Sequence, residues 1–230
     1  MSTALITGAS QGLGLALTTA FAERGWNLVV DARDETRLRE AARTLPTVVA
    51  IVGDVTDPGH REALAAAAEV FGPLDLLVNN ASELGPSPLP ELARYPLDAL
   101  RTVYETNVVA PLALTQLLLP ALRAAGGTVV NISSDAAVEP YPGWGGYGPS
   151  KAALDHVSAI LAAEEPELRV FAFDPGDMRT AMHQRAFPGE DISDRPAAST
   201  VVPAVLRLFD ERPASGRYRA VDLLAAEVAR

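Results

Sequence analysis

TGASQGLG, Thr7 to Gly14, follows a short apolar run, ALIT, and opens directly into LGLALTTAFAERG, whose apolar residues recur at helical spacing. Gly8, Gly12 and Gly14 permit a tight turn at that junction and let backbone N–H groups approach a pyrophosphate at a helix N-terminus. The spacing is G-x-x-x-G-x-G, and three glycines alone would also suit a plain turn. Their position after the first strand, at the start of the first helix, is what favours a dinucleotide site.

The same strand-then-helix rhythm continues along the chain. NLVVDA, TVVAIVGDV, LDLLVNN, GTVVNISS, LRVFAFDP and, weakly, GRYRAVDL read as strands. Several are apolar throughout, as in a parallel sheet covered on both faces. Between them DETRLREAARTL, PGHREALAAAAEVFG, DALRTVYETNVVAPLALTQLLLPALRAAG and PSKAALDHVSAILAAEE carry helical periodicity. The alternation predicts a doubly wound α/β fold of the Rossmann type, a three-layer sandwich with a mostly parallel sheet of about seven strands. No repeat or linker divides the chain, so residues 1–230 are expected to form one domain. Proline breaks SELGPSPLPELARYP and FPGEDISDRP into loops, and in such folds the loops beyond the strand ends form the ligand crevice.

Composition narrows the partners. A formal net charge of -10 argues against nucleic acid and against anionic membranes. There is no cysteine, which excludes disulfides and cysteine-ligated metals, and His60, His156 and His183 lack metal-ligand spacing. These histidines are expected to be solvated or capping residues. MSTALITGAS is too short and uncharged for a signal peptide, and apolar segments such as PLALTQLLLPAL fall below the ~20 residues of a membrane span. A cytoplasmic protein is the expectation.

Lys151 is the sole lysine; every other basic residue apart from histidine is arginine. It stands four residues after Tyr147 in YGPSK, with Pro149 between them. Proline suits the first turn of a helix, so the helix is expected to begin near Gly148 with Tyr147 at its start. Residues four apart share a helix face, which brings phenol and ammonium to one site. A nearby ammonium stabilises a phenolate and is expected to lower the tyrosine pKa from about 10 toward the range useful for proton transfer.

With the glycine turn, these motifs make the sequence resemble the short-chain dehydrogenases/reductases. GDVTD supplies Asp54 and Val55, NNAS spans Asn79 to Ser82, TNVVAP supplies Asn107, NISS supplies Ser134, and DPGDMRT supplies Pro175, Gly176 and Thr180. The motifs run in the family's order from about residue 3 to residue 182. The resemblance implies hydride transfer between a nicotinamide and a carbonyl or alcohol carbon, with Asn107, Ser134, Tyr147 and Lys151 as catalytic residues. Tyr147 would protonate the oxygen and Ser134 orient it, while Ser133 alternates to the other face as a structural residue. Asn107, mid-helix and four residues before Pro111, reads as a kink residue whose amide satisfies freed backbone groups. In the family it also holds a water of the proton relay.

Residues expected at the cofactor are Gly8, Ser10, Gln11, Gly12, Leu13, Gly14, Arg33, Asp54, Val55, Asn80, Ala81, Ser82, Tyr147, Lys151, Pro175, Gly176, Met178 and Thr180. Ser82 departs from the family, which usually has glycine there, and puts the local loop geometry in doubt. Family members preferring NAD carry an acid at the tip of strand two, and that position falls on Ala32. Arg33 follows, where NADP-preferring relatives place a basic residue, so NADP(H) is favoured and NAD(H) remains possible. Gln11 stands where many such enzymes have a second basic residue.

The substrate, a small carbonyl or alcohol compound, is expected between Ser82–Gly85, Asp135–Trp144 and a loop at about 177–197. Tyr141, Trp144, Met178, Met182 and Phe187 would offer apolar surface there, and Glu83, Asp135, Glu139, Asp177 and Arg179 charge. Two rival readings, a catalytically silent dinucleotide-sensing regulator and a sugar-nucleotide epimerase or dehydratase, fit less well. The first would tend to lose Tyr147 or Lys151, and the second needs a larger C-terminal region. Relatives pair through the helices after strands four and five, implying a homodimer or homotetramer. The tail AVDLLAAEVAR lacks the glycine-rich ending of many relatives.

Overall fold

The computed structural model describes residues 1–45 and 47–228. Seven strands form one sheet: β1 (Thr3–Ile6), β2 (Asn27–Ala32), β3 (Val48–Val52), β4 (Leu76–Asn79), β5 (Thr128–Ile132), β6 (Arg169–Asp174) and β7 (Gly216–Arg219). Their order is β3-β2-β1-β4-β5-β6-β7, and every neighbouring pair is parallel. The doubly wound reading therefore holds, with a weak seventh strand included. Strand order reverses between β1 and β4, and the crevice of such a sheet lies at the carboxyl ends beside that switch.

Alternation along each strand distributes the apolar residues between two layers. Ala4, Ile6, Leu76, Val78, Val130 and Phe171 pack on one side with Leu13, Leu17 and Phe21 of α1 (Gly12–Glu23) and Val205 and Leu208. Leu5, Leu77, Val129 and Val170 face the other side. There they meet Leu64 of α3 (Pro58–Glu69) and Leu114, Leu118 and Leu122. Between α1 and α3 in sequence lies α2 (Glu35–Ala42), N-capped by Asp34, whose side chain accepts from the Arg37 N–H.

The long helical pattern is not one regular helix. α4 (Leu97–Tyr104) passes through a π-helical turn, Glu105–Val109, into α5 (Ala110–Ala125). Together these 29 residues are long enough for a membrane span and contain an 18-residue window of mean hydropathy 1.6, which reading PLALTQLLLPAL as too short did not anticipate. The buried Leu114, Leu118 and Leu122 mark α5 as a layer of the sandwich. α6 (Tyr147–Glu164) starts one residue earlier than expected. Both proline-rich stretches are loops apart from a 3-10 turn at Leu92–Arg94, and the loop after β6 contains one short helix, α7 (Ala181–Ala186).

Candidate active site

Beyond the carboxyl ends of the strands lies a cleft of about 370 Å³. Every residue expected at the cofactor or in catalysis lines it except Gly14 and Asn107, which stand behind the lining. Gly8 and Gly12 have φ of +67° and +57°, so only glycine is unstrained at either. A Cβ on Gly14 would sit 2.3 Å from the Gly8 carbonyl oxygen, which explains a glycine inside the first helical turn. No side chain caps α1, and its first turn holds no acid. Its leading N–H groups thus form an anion site at the positive end of a helix dipole.

The NNAS segment is stitched to this turn. Thr7 Oγ1 accepts from the N–H groups of Asn80 and Ala81, both at 3.0 Å. Asn80 Nδ2 donates to the Thr7 and Gly8 carbonyls at 2.8 and 3.1 Å.

The pairing of Asp31 with His60 was not foreseen; in the sequence Asp31 reads only as standing one residue before the ribose-binding position at Ala32. Asp31 Oδ1 accepts from the Gly8 N–H at 2.9 Å, and Oδ2 lies 3.0 Å from His60 Nε2. Both residues are buried, so His60 is neither solvated nor a cap. Burial pushes the Asp31 carboxyl above its ordinary pKa, and the bonds to His60 and Gly8 pull against that shift. Gly53 exists beside it for space, since a Cβ there would meet the His60 ring at 2.2 Å.

At the outer end of the same wall, Arg33 lies 3.9 Å from Asp54 and 3.7 Å from Glu83, beyond hydrogen-bonding reach of either. Arg37 Nη1 donates to Gln11 Oε1 at 2.8 Å.

At the inner end, Tyr147 and Lys151 share a face of the first turns of α6, both buried, with Lys151 Nζ 5.4 Å from the centre of the Tyr147 ring. Lys151 Nζ donates to the Ile132 carbonyl at 2.7 Å. Burial lowers the lysine pKa to about 8, with Asp155 pulling it back up. The phenol moves opposite to expectation. Burial raises its pKa well above the ordinary value, the carboxylates of Asp174 and Asp135 add to the rise, and a hydrogen bond with Ser82 opposes it. Desolvation is the largest of these effects.

Ser134 Oγ donates to Asp135 Oδ1 at 2.9 Å and accepts from the Ala136 N–H at 3.2 Å. Ser133 is buried beside Asp155, away from that hydroxyl. Asn107 sits fully buried in the π turn. Its amide does not satisfy freed helix carbonyls. Oδ1 accepts from Ser82 Oγ (3.1 Å) and the Glu83 N–H (2.7 Å), while Nδ2 donates to the Glu83 carbonyl (2.9 Å) and Ser150 Oγ (2.9 Å). The amide therefore pins the loop after β4 to α6. Ser82, the family departure, gains a defined role as a link between that amide and the Tyr147 phenol.

Apolar surface surrounds the phenol. Leu84, Trp144, Met178 and Met182 line the cleft, and Phe187 backs Trp144 with ring centres 6.0 Å apart. Tyr141 stands behind Trp144 and donates to Asp135 Oδ2. His183 lines the cleft against Phe187, with Nδ1 3.7 Å from Asp177. Glu83, expected as wall charge, is engaged elsewhere. It accepts from the Gly85 N–H and pairs with Arg185 at 3.1 Å, tying α7 to the loop after β4. Among the described residues no cluster of His, Cys, Asp and Glu could hold a metal ion.

Comparison with known proteins agrees with this geometry. The family model for short chain dehydrogenase matches residues 2–191. A serine 3-dehydrogenase from Agrobacterium fabrum is 39% identical over 183 residues, which is 77% of this chain and 72% of that protein. Sepiapterin reductase from Mus musculus is 37% identical over 199 residues, 79% of this chain and 76% of that one. A short chain dehydrogenase from Shigella flexneri solved in complex with NADP superposes with a TM-score of 0.89 at 30% identity, covering 95% of this chain and 96% of that chain.

Proposed function

Because the chain belongs to the short-chain dehydrogenase/reductase family, we propose that it is a cytoplasmic NADP(H)-dependent oxidoreductase. Its substrate class would be a ketone or aldehyde, reduced to the alcohol, or the secondary alcohol oxidised in reverse. The observation that carries this reading is the buried Tyr147–Lys151 pair at the inner end of a cleft whose outer end is an uncapped, acid-free helix N-terminus.

That cleft suits a dinucleotide. The α1 N–H groups would hold the pyrophosphate, Asp54 and Val55 the adenine, and Pro175, Gly176, Met178 and Thr180 the nicotinamide end. Asp31 lies near the tip of β2, but both of its carboxylate oxygens are engaged, by Gly8 and His60. It therefore does not compete for ribose hydroxyls, and Arg33 is left without a hydrogen-bonded acid, which favours the 2′-phosphate. When bound, the nicotinamide supplies or accepts the hydride.

The protein's part is proton handling and orientation. A phenol raised by burial is protonated at neutral pH and is therefore ready to give its proton to a carbonyl oxygen. Lys151, the only full charge one helical turn away, stabilises the phenolate left behind. Ser134 donates to the same substrate oxygen by turning from Asp135. Asn107 acts at a distance, holding Ser82 and Glu83 on one side and Ser150 on the other. In assembly, exposed Val109 at the end of the π turn, Leu117 of α5 and Ile160 of α6 support pairing of these helices in a homodimer or homotetramer.

The test is Tyr147→Phe assayed on a panel of carbonyls and alcohols by NADPH and NADH absorbance. The variant should lose turnover and still bind NADP(H). Retained turnover removes Tyr147 as the proton donor, and a clear wild-type preference for NADH removes the NADP(H) assignment.

A further inference from the structure

We propose that Arg217, on β7, is a positioning residue for the Tyr147–Lys151 pair: one guanidinium holds Asp155 and Asp174 off that pair and ties down the backbone of Ser134. The proposal rests on the oxidoreductase reading above and adds to it a residue that stands behind the cleft wall.

Alternation along β7 sends successive side chains to opposite faces of the sheet. Tyr218 packs edge-on against Phe171, in the layer that holds α1. Arg217 takes the other face, toward α6. There its Nε donates to Asp155 Oδ2 at 3.0 Å. Its Nη2 donates to Asp174 Oδ2 at 3.0 Å and to the Ser134 carbonyl at 2.9 Å. The three acceptors belong to α6, to the end of β6 and to the turn after β5. A planar guanidinium directs donors to all three at once, which a compact ammonium cannot. The Arg217 side chain is 26% exposed and that of Asp174 5%, so these are interior bonds and not the solvated charge of an edge strand.

Each acceptor bears on the chemistry. Asp155 follows Lys151 by one helical turn, the spacing at which a carboxylate and an ammonium pair on a helix. With Oδ2 bound to Arg217, Asp155 does not take the lysine, whose Nζ donates to the Ile132 carbonyl and stays 5.4 Å from the centre of the phenol ring. Asp174 leads into the Pro175–Gly176 turn, and its other oxygen accepts from the Gly176 N–H, so Arg217 also fixes the root of the loop at the nicotinamide end. The charged groups acting on the pair are Asp135 and Asp174 at the phenol and Asp155 at the ammonium. Arg217 bonds two of these three. Asp155 also faces Ser133, and Arg219, which faces Asp174, is paired with Asp222. Without the guanidinium both carboxylates act on the pair unopposed, and each holds its neighbour's proton more firmly.

The experiment measures kcat against pH at saturating NADPH, with the carbonyl of the panel that the wild type reduces fastest. The variants are Arg217→Lys, Arg217→Gln, and Arg217→Gln combined with Asp155→Asn. Arg217→Lys keeps the charge and loses the fork, so kcat should fall by about tenfold while the alkaline limb stays in place. Arg217→Gln should lose more, and its alkaline limb should move upward, because two unopposed carboxylates raise both groups. Adding Asp155→Asn should bring the limb part of the way back and recover part of kcat, which a purely structural clamp would not do. Melting curves identify the variants that fold. A folded Arg217→Gln whose alkaline limb has not moved, or, if that variant does not fold, an Arg217→Lys with full kcat, overturns the inference and leaves the oxidoreductase reading standing. A wild type that transfers no hydride to or from any member of the panel overturns both.

Discussion

Lys151→Met should make the protein more stable and less active. Lys151 is 1% exposed and its ammonium donates to no carboxylate; its hydrogen bond goes to the Ile132 carbonyl. Its pKa falls from 10.5 to about 8 on folding. At about 1.4 kcal/mol per pH unit, holding that charge inside costs roughly 3 kcal/mol at pH 7. Methionine has a similar length and no charge, but it leaves the Ile132 carbonyl without its donor, a loss of about 1 kcal/mol. The net expectation is a gain of about 2 kcal/mol at pH 7, or a rise in Tm of about 4–8 °C for a chain of this size.

The sign with pH follows from proton binding. Between about 8 and 10.5 the unfolded chain keeps a proton that the folded chain has released, so the stability of the wild type climbs relative to the variant as pH rises through that window. Below pH 8 the full penalty is present. Urea unfolding of both proteins at pH 7 and pH 10 measures this, and the absence of any other lysine keeps the interval simple. A variant less stable than wild type at pH 7, or a gap between the two that stays constant from pH 7 to pH 10, would refute the reasoning.

Three other outcomes follow from the same geometry. His60→Ala leaves the Asp31 carboxylate buried with only the Gly8 N–H, and should cost about 3–5 kcal/mol by urea unfolding. Adding Asp31→Ala should restore part of that loss, and a cost below about 1 kcal/mol for His60→Ala would contradict the role of the pair. Gly14→Ala would gain about 1 kcal/mol by helix propensity but must push the Gly8 carbonyl away, at about 1–3 kcal/mol. A lower Tm is expected, and a higher one counts against a closely packed turn. Ser82→Gly removes the bond that lowers the Tyr147 phenol, so the alkaline limb of the pH–rate profile should move upward. An unmoved limb would mean that the hydroxyl does not reach the phenol during turnover.

Features written in local pattern were legible before the structure. The period of apolar residues exposes seven strands, the weak GRYRAVDL included, and a four-residue interval is enough to bring Tyr147 and Lys151 to one helix face. Pairings between distant segments were not legible. Asp31 and His60 belong to different elements, and nothing near either residue announces the other. The bond between Arg37 and Gln11 likewise joins residues 26 positions apart. The phenol pKa was misjudged for a different reason: a neighbouring lysine can be read from spacing, whereas the depth of burial and the approach of Asp174 and Asp135, which raise the phenol, depend on the whole fold. Glu83 likewise looked available until Arg185 came back to it across 102 residues.

The wide turn at Glu105–Val109 amounts to a surplus of backbone. Excising any one of those five residues would let the helix close into regular coils, leaving the flanking helices in about the same mutual orientation while the residues left inside the turn rotate about its axis. Asn107 could then survive the deletion and still be carried away from the loop it clasps. What the site requires at this point is a length of chain as much as a particular amide, and indel variants here should be as damaging as the loss of the side chain itself.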